Sequence, residues 1–401
     1  MIDTKNIMNE AYSLEEKIRN IRRELHIHPE TGFDLKYTKP FVRERLEELG
    51  YTVEECGKAG LVTTIGKNNG KCILLRADMD ALPIKEEADI DYKSVNEGFM
   101  HGCGHDMHTA MLLGAAELLK NHEEELKGTV KLMFQPAEEI FQGSSDMINN
   151  GVLENPHVDA AIMLHVVGGM PIKEGAVLIP SGGVTTASCE QYHITIQGKG
   201  GHGSMPQNCI DPITAASAVH LALQEVNARE LEAGEYGVFT TGKFVAGDVS
   251  NVIPDKAEMW GTIRTLNDNA RLIIKTRMSE IVEGISAAYR CKGETDFFDY
   301  CPTMITDNDL SVKTMSYVKE LIGQGAIDMS LFNGGKPGSG SEDFAFVSHE
   351  VPTVGMFITA GDSTNGYPYS QHHPKVCFND DILYIGSAVH AYTALRWLSE
   401  N

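Results

Sequence analysis

The sequence predicts an α/β protein with a mainly parallel central sheet, helices on both faces of it, and a smaller inserted α+β domain. Three observations support this fold class. Short apolar runs alternate with helical patterns over the first 180 residues, which is typical of a covered parallel sheet. After the Pro-Ser-Gly-Gly turn at 180–183 the predicted strands become half-exposed. The alternation of apolar runs and helical patterns resumes after about residue 303. We therefore expect one domain, formed by residues 1–184 and 303–401, to be interrupted by another at 185–302.

The elements of the first domain follow from hydrophobic periodicity. Apolar residues at three- and four-residue spacings predict a helix over 6–28, ended by a His-Pro pair, and a second helix over 38–49. Continuous apolar runs predict buried strands, with a helix over 106–121 between the second and the third. These strands lie at 61–65, 72–75, 130–134 and 160–164. The last part of the chain ends in a predicted helix over 380–398.

The inserted segment has a β-α-β-β-α-β order. The predicted strands lie at 193–197, 238–246, 257–265 and 294–300, and the predicted helices lie at 211–229 and 268–290. This order is typical of a two-layer domain of ferredoxin-like type.

Composition excludes several classes of protein. The chain of 401 residues has 34 basic and 56 acidic residues, a net charge of −22, so nucleic acid and anionic membranes should repel it. No run approaches the ~20 apolar residues of a membrane helix. The charged start has no apolar core of a signal peptide, and the eight cysteines form no close repeating pattern. We therefore expect a cytoplasmic protein of enzyme size.

Unusual polar residues follow the predicted buried strands, where ligands of open α/β sheets bind. They are Asp78 and Asp80, the segment HGCGHDMH at 101–108, the pair Glu138 and Glu139, His165, and the pair His372 and His373. Taken alone, the aspartates could lie in a solvated turn, and the glutamates could cap a helix. Similarly, His101 and His108 could support a ligand, cap the helix or simply be exposed.

Together these residues predict a metal centre. Thiols and imidazoles are ligands for zinc and related transition metals. Cys103, His105, Glu139, His165 and one of the last two histidines exceed the four ligands of a single tetrahedral site and fit two metal ions. Of two adjacent glutamates, one can bind metal while its neighbour takes a proton from water.

The motifs RADMDALPI, HGCGHDMHTAMLLGAA, FQPAEE, GKGGHGSMP, NVIP, GTIRT and SEDF occur in this order. They closely resemble the N-acyl-amino-acid amidohydrolase branch of the aminoacylase/carboxypeptidase metallohydrolase superfamily, which includes hippurate hydrolases and auxin-conjugate hydrolases. The resemblance covers about residues 15–398. It implies a di-zinc aminopeptidase-like catalytic domain, and an inserted lid domain that forms a homodimer contact.

The resemblance also implies residue roles. Glu138 would be the general base and acid, and Asp80 would support the metal site. His202 would stabilise the oxyanion, although it could instead lie idle in a mobile loop. Asn251 and Arg264 would hold the carboxylate of the product, although Arg264 could be an ordinary surface residue. The metal ligands would be Cys103, His105, Glu139, His165 and His372, which lies two residues before a proline as in the family.

Imidazole and carboxylate ligands suit zinc, manganese, cobalt or nickel, and a thiolate favours the softer of these metals, so we expect one or two such divalent ions. In the wider superfamily a histidine occupies the position of Asp78, and its absence marks this branch. Glu342 and Asp343, in the motif SEDF, could simply cap a helix.

We expect metal-dependent hydrolysis of N-acyl amino acids, with water activated by metal and by Glu138. A dipeptidase or carboxypeptidase with the same site is the nearest alternative. A cysteine hydrolase using Cys103 with His105 or His108 is a second, and a non-catalytic metal-binding protein is a third.

Overall fold

A computed structural model describes residues 4–67 and 70–401. The described residues form two compact units. The first, larger unit contains the chain up to Thr185, together with Ile305–Lys336 and Glu342–Asn401, and the second contains Thr186–Met304 and Pro337–Ser341. The unit borders lie within two residues of the predicted domain borders, but 337–341 belongs to the second unit. The functional roles predicted for the two domains remain predictions.

The helices and strands are numbered in chain order. The helices are α1 (Thr4–Ser13), α2 (Glu15–Ile27), α3 (Thr38–Glu48), α4 (His105–Asn121), α5 (Gly143–Asn149), α6 (Pro212–Glu225), α7 (Asp268–Ala288), α8 (Asn308–Ile322), α9 (Ala345–Ser348) and α10 (Leu383–Glu400). The strands are β1 (Glu54–Cys56), β2 (Gly60–Gly66), β3 (Cys72–Asp78), β4 (Thr129–Gln135), β5 (Ala160–Val167), β6 (Val177–Ile179), β7 (Gly183–Thr186), β8 (Cys189–Gln197), β9 (Gly201–His202), β10 (Gly237–Ala246), β11 (Val252–Ile253), β12 (Lys256–Thr265), β13 (Lys292–Cys301), β14 (Met304–Thr306), β15 (Ala326–Asp328) and β16 (Thr353–Thr359).

The larger unit is built on a sheet in the order β1-β2-β4-β3-β5-β16-β6-β15. The central neighbours β4, β3, β5 and β16 are parallel, whereas β1, β2 and β4 form antiparallel pairs at one side. Strands β3 and β4 are buried along their whole length, as expected for a sheet covered on both faces. The predicted α/β class with a mainly parallel sheet is confirmed.

Helix α4 lies in the core of this unit. Nearly all its residues are buried, and it contacts α10, α2 and strand β3. Its middle, residues 110–116, is apolar on all sides and requires such surroundings. The start of α4 is therefore fixed against the ends of the central strands.

The prediction of a single helix over 6–28 is wrong, because α1 ends at Ser13 and α2 begins at Glu15. The N–H of Leu14 donates to the carbonyl of Ala11, three residues back instead of four. The hydroxyl of Ser13 donates to the carbonyl of Glu10. Such bonds tighten and end a helix. Similarly, the helix predicted over 211–229 ends as α6 at Glu225 and is followed by a π-helical turn.

The smaller unit contains an antiparallel sheet in the order β10-β12-β8-β13. Helix α6 follows β8 and helix α7 follows β12 along the chain. Apart from the two-residue strands β9 and β11, the elements therefore occur in the predicted β-α-β-β-α-β order. Apolar residues of β8 and β12 share a core with both helices; among them are Ile194, Met259, Val219 and Ile274.

No helix within residues 4–67 and 70–401 combines the length and apolar character needed to span a bilayer. All the cysteines lie in these described ranges and are free thiols.

Candidate metal centre

The site is built where the central strands of the larger unit end. Asp78 is the last residue of β3, Glu138 and Glu139 follow β4 by a short turn, and His165 lies near the end of β5. The parallel strands bring these ends to one edge of the sheet, where ligands of such folds bind. The first residues of α4 and the loop that contains His372 complete the site.

Cys103 lies at the centre of the cluster. Its Sγ is 3.5 Å from His165 Nε2 and 3.3 Å from His372 Nε2. Ligand atoms of Cys103, His105 and His165 lie within 4.8 Å of one another, and so do those of Cys103, Glu139 and His372. The two groups share the thiol. We call Cys103, His105, Glu138, Glu139, His165 and His372 the cysteine cluster.

These separations fit coordination. A sulfur and a nitrogen bound to one tetrahedral zinc ion lie about 3.6 Å apart, given bond lengths of about 2.3 and 2.1 Å. The cysteine–histidine distances are within a few tenths of an ångström of this value. Glu139 Oε2 lies 3.7 Å from His372 Nε2, and Glu139 Oε1 lies 3.8 Å from His105 Nε2.

The tautomers of the histidines leave lone pairs directed into the cluster. His105 Nδ1 donates to the carbonyl of Asp80 at 2.8 Å, and His165 Nδ1 donates to the carbonyl of Val166 at 2.6 Å. The Nε2 atoms of both rings are therefore unprotonated in the neutral form. Burial lowers the pKa of His165 and of His372, which favours the neutral ring that a metal ligand requires.

Two buried atoms of the cluster lack hydrogen-bond partners. Among the described residues, His105 Nε2 and Glu139 Oε1 have no partner within hydrogen-bonding geometry. Buried polar atoms without partners are costly. A divalent cation held between them would remove this cost, so the residues present fit a metal.

The electrostatics also favour a cation. Burial alone lowers the pKa of His105, but Asp78 and Asp80 reverse this effect and raise the pKa well above the usual range. Burial raises the pKa of Glu139 to about 7, although His105 opposes the shift. The carboxylates therefore gather around a place where positive charge is needed.

Glu138 lies at the inner side of the cluster, with Oε2 3.9 Å from His105 Nε2. Burial, together with the nearby carboxylates Glu342, Glu139 and Asp343, raises the pKa of Glu138 well above that of an exposed glutamate. A carboxyl group with a raised pKa is better suited to accept a proton and then return it.

Asp80 orients the two glutamates. Its Oδ1 accepts from the backbone N–H of Glu138 at 3.0 Å, and its Oδ2 accepts from the backbone N–H of Glu139 at 3.2 Å. Its own carbonyl fixes His105, as described above. A single buried residue thus holds the backbone of both glutamates and one imidazole.

Sequence reasoning missed Arg76. This fully buried guanidinium donates to Asp78 and to Glu342, each at 2.7 Å, and to Asp343 at 3.2 Å. The signal was present, because an arginine within an apolar strand must find buried acidic partners. Glu342 and Asp343 precede α9 and lie beside Glu138. The simple capping role considered for them is therefore insufficient.

The remaining histidines of the motifs have distinct surroundings. His101 and His108 are both buried, so the expectation that either is merely exposed is wrong. His373 stacks on Tyr369 at 4.1 Å between ring centroids and accepts from the backbone N–H of Lys375. His372, by contrast, belongs to the cysteine cluster, with its Nε2 3.3 Å from Cys103 Sγ.

The backbone is unusual at two places in the site. Gly104 precedes α4 with a φ of 87°, and a Cβ there would lie 2.3 Å from Val166 Cγ2. Only glycine fits this close approach. His372 has a φ of 64°. This left-handed conformation is rare for residues other than glycine, and such exceptions are often found at functional sites.

The predicted substrate-binding residues belong to the smaller unit. His202 lies in β9, is exposed, and its Nδ1 accepts from the backbone N–H of Ser204 at 3.1 Å. The carbonyl of Asn251 accepts from the N–H of Gly203. Arg264, in β12, donates to Ser341 Oγ at 2.9 Å and to the carbonyl of Ser339. The functions expected of these residues stay predictions.

The chain is similar to known metallohydrolases over nearly its whole length. Residues 74–396 match the family described as Peptidase family M20/M25/M40. The N-acetylcysteine deacetylase of Bacillus subtilis (strain 168) is 36% identical over 387 residues, covering 94% of this chain and 96% of that protein. The hippurate hydrolase of Campylobacter jejuni is 35% identical over 396 residues, covering 98% of this chain and 100% of that protein.

A solved structure has the same fold. The YXEP protein of Bacillus subtilis, described as a dinuclear metal-binding peptidase from the M20 family, superposes with a TM-score of 0.79 at 32% identity. The match covers 97% of this chain and 99% of that chain.

Proposed function

The chain belongs to peptidase family M20/M25/M40 and is a metal-dependent amide hydrolase, and we propose that it releases a free amino acid and a carboxylic acid from N-acyl amino acids. N-acetyl and N-benzoyl amino acids are the expected substrates. The names of the deacetylase and the hippurate hydrolase support this substrate class.

The proposed metal ligands are Cys103, His105, Glu139, His165 and His372. The observation that carries the proposal is a pair of buried atoms without partners among residues 4–67 and 70–401: His105 Nε2 and Glu139 Oε1, 3.8 Å apart beside Glu138. One or two divalent ions, chosen from zinc, manganese, cobalt and nickel, suit this set of sulfur, nitrogen and oxygen donors. When bound, such an ion would polarise the amide carbonyl and make water more acidic.

Glu138 is the proposed general base and acid. One of its carboxylate oxygens would take the proton from the attacking water and deliver it to the nitrogen of the leaving amine. The raised pKa of Glu138 suits both steps, because the same group must accept a proton and then give it up. Asp80 would keep Glu138 and Glu139 in place through the two backbone N–H groups described above.

Residues of the smaller unit are proposed to bind the substrate. Arg264 can hold a carboxylate through parallel hydrogen bonds, and Asn251 would assist it. His202 would stabilise the negative charge that develops on the carbonyl oxygen. The lid role of this unit, a homodimer formed through it, and a cytoplasmic location are part of the same proposal.

A dipeptidase or carboxypeptidase is the second candidate. The related YXEP protein is described as a peptidase, and the proposed cluster would serve either amide. A cysteine nucleophile is disfavoured, because burial raises the pKa of Cys103 and a nucleophilic thiol needs a lowered one. A non-catalytic binding protein would have no use for Glu138.

The test measures free amino acid released from N-acetyl, N-benzoyl and N-fatty-acyl amino acids and from dipeptides. Metal-loaded protein, chelated protein, and the variants Glu138→Gln and Glu97→Gln are compared. We expect Glu138→Gln to lose about 10²–10⁴-fold in kcat with its metal content unchanged. The exposed Glu97→Gln should behave as wild type. Full turnover by chelated protein or by Glu138→Gln would refute the mechanism, and preference for dipeptides would favour the second candidate.

A further inference from the structure

Asp78 and His108 form a buried pair beside the cysteine cluster that the mechanism above does not use. Asp78 Oδ1 lies 2.6 Å from His108 Nδ1, and both side chains are fully shielded from solvent. The ligand atoms of Asp78, His105 and His108 also lie within 4.8 Å of one another. By distance alone, the two residues could be additional metal ligands.

The hydrogen bonds exclude that role for His108 and fix its tautomer. The backbone N–H of Val166 donates to His108 Nε2 at 2.8 Å. An N–H can only donate, so Nε2 carries no proton, and Nδ1 must donate to Asp78. The other oxygen of Asp78 accepts from Arg76 at 2.7 Å. The lone pair of His108 is therefore already engaged, and each oxygen of Asp78 already accepts one hydrogen bond.

The bond to Val166 compensates for a gap in the sheet. Strand β3 pairs with β5 only as far as Arg76 and Met163, three residues before Val166. Beyond that point His108, instead of a described strand, supplies the acceptor for the Val166 N–H. The carbonyl of the same Val166 accepts from His165 Nδ1 at 2.6 Å, and the rings of His108 and His165 lie 4.3 Å apart between centroids.

We propose that His108 is a positioning residue for His165, acting through the peptide of Val166. Arg76 fixes Asp78, Asp78 fixes the ring of His108, and His108 holds the Val166 peptide. That peptide and the adjoining ring of His108 orient His165 so that its Nε2 faces Cys103. The inference rests on the metal ligands proposed above, because it concerns how one of them is aimed.

The test uses three substitutions of His108 and one matched control. His108→Phe keeps a flat ring but removes both hydrogen bonds. His108→Gln can place an acceptor oxygen near the position of Nε2, whereas His108→Asn can donate to Asp78 but is too short to reach Val166. The control is His101→Phe, since His101 is equally buried in the same motif, and neither of its ring nitrogens has a partner among the described residues.

The measurements are the affinity of the metal-free proteins for Zn²⁺, by competition with a chromogenic chelator, and the visible absorption spectrum of Co²⁺-loaded protein. We expect His108→Phe to bind about 10–100-fold more weakly, the usual loss for residues that orient metal ligands, with an altered Co²⁺ spectrum. His108→Gln should recover part of the affinity, and His108→Asn should not. His101→Phe should match wild type in both measurements.

Three results would overturn the inference: a folded His108→Phe with unchanged affinity and spectrum, an equal loss in His101→Phe, or a His108→Asn that binds as well as His108→Gln or better. If His108→Phe does not fold, the ranking of the glutamine and asparagine variants decides. Failure of wild type to bind Zn²⁺ would instead refute the proposed metal centre, so the two failures are distinguishable.

Discussion

Consecutive residues at the start of α4 belong to two buried polar clusters of different character. His105 is part of the cysteine cluster, where buried carboxylates with raised pKa values crowd together. Asp106 is part of a second cluster, which we call the arginine cluster: Arg22, His26, Glu86, Asp106 and Asp380. There Arg22 lies 2.8 Å from Asp106 and 2.9 Å from Asp380, and His26 lies between Asp106 and Glu86.

The balance of charge distinguishes the two clusters: the arginine cluster is typical of a structural ion-pair network, and the cysteine cluster is typical of a binding site. In the arginine cluster each charge faces an opposite charge within the protein, so the cluster needs no further ion. Burial alone would raise the pKa of Asp106, but Arg22 and His26 lower it instead. In the cysteine cluster burial raises the pKa of Glu138 and that of Glu139, and neighbouring carboxylates raise both further, as expected where negative charge outweighs positive charge.

Breaking the arginine cluster should have the largest effect on stability. Asp106→Asn leaves Arg22 buried without one of its anionic partners, so we expect the free energy of unfolding to fall by about 3–5 kcal/mol. Urea denaturation of the metal-free protein measures it. Asp381→Asn is the matched control, because that aspartate is largely exposed in its pair with Arg19 and should cost at most about 1 kcal/mol. Equal losses in the two variants would contradict the distinction.

A buried histidine, His390, should make the protein sensitive to acid, because its two ring nitrogens have no hydrogen-bond partner among the described residues. His390 lies in α10, and burial lowers its pKa to about 4 from an unfolded value near 6.5. The neutral form is favoured in the folded state, so its stability contribution is complete above pH 6.5 and is lost as pH falls towards 4. The full loss is about 3 kcal/mol, and more than half of it occurs by pH 5.

Unfolding measured from pH 7.5 to 4 checks this expectation. His390→Leu should show a smaller decrease in stability than wild type over this range. Substitution of the exposed His157 by Gln should leave the wild-type pH dependence unchanged. A His390→Leu protein that loses stability as steeply as wild type would show that other groups control the response to acid.

Metal binding should stabilise the folded protein through the cysteine cluster, and this stabilisation should not depend on the arginine cluster. Free metal at a hundred times its Kd should stabilise wild type by about 2.7 kcal/mol, measured as a rise in Tm that a chelator reverses. Asp106→Asn should show a comparable rise from its lower starting Tm. Cys103→Ala should show little or none, because both groups of ligand atoms include Cys103. A metal-induced rise that persists in Cys103→Ala would argue against the shared thiol.

The order of elements could be predicted because it depends on local patterns. The runs at 72–75 and 130–134 lie within β3 and β4, and the predicted helix over 106–121 is α4 less its first residue. Apolar periodicity decides whether such segments are strands or helices. The failure at Leu14 shows the limit of this reasoning, since a helix with continuous periodicity was ended by local hydrogen bonds.

The sequence by itself determined the types of donor in the site and their placement at strand ends. Residue type and spacing alone indicated sulfur, nitrogen and carboxylate donors after β3, β4 and β5. Only the tertiary structure decided which donors have free lone pairs. His105 and His108 are three residues apart in one motif, yet the buried Nε2 of His105 has no partner in the described part of the chain, while both nitrogens of His108 are engaged by Asp78 and Val166. That difference arises from groups distant in the chain, because a hydrogen bond depends on distance and direction in space, and neither is encoded in local spacing.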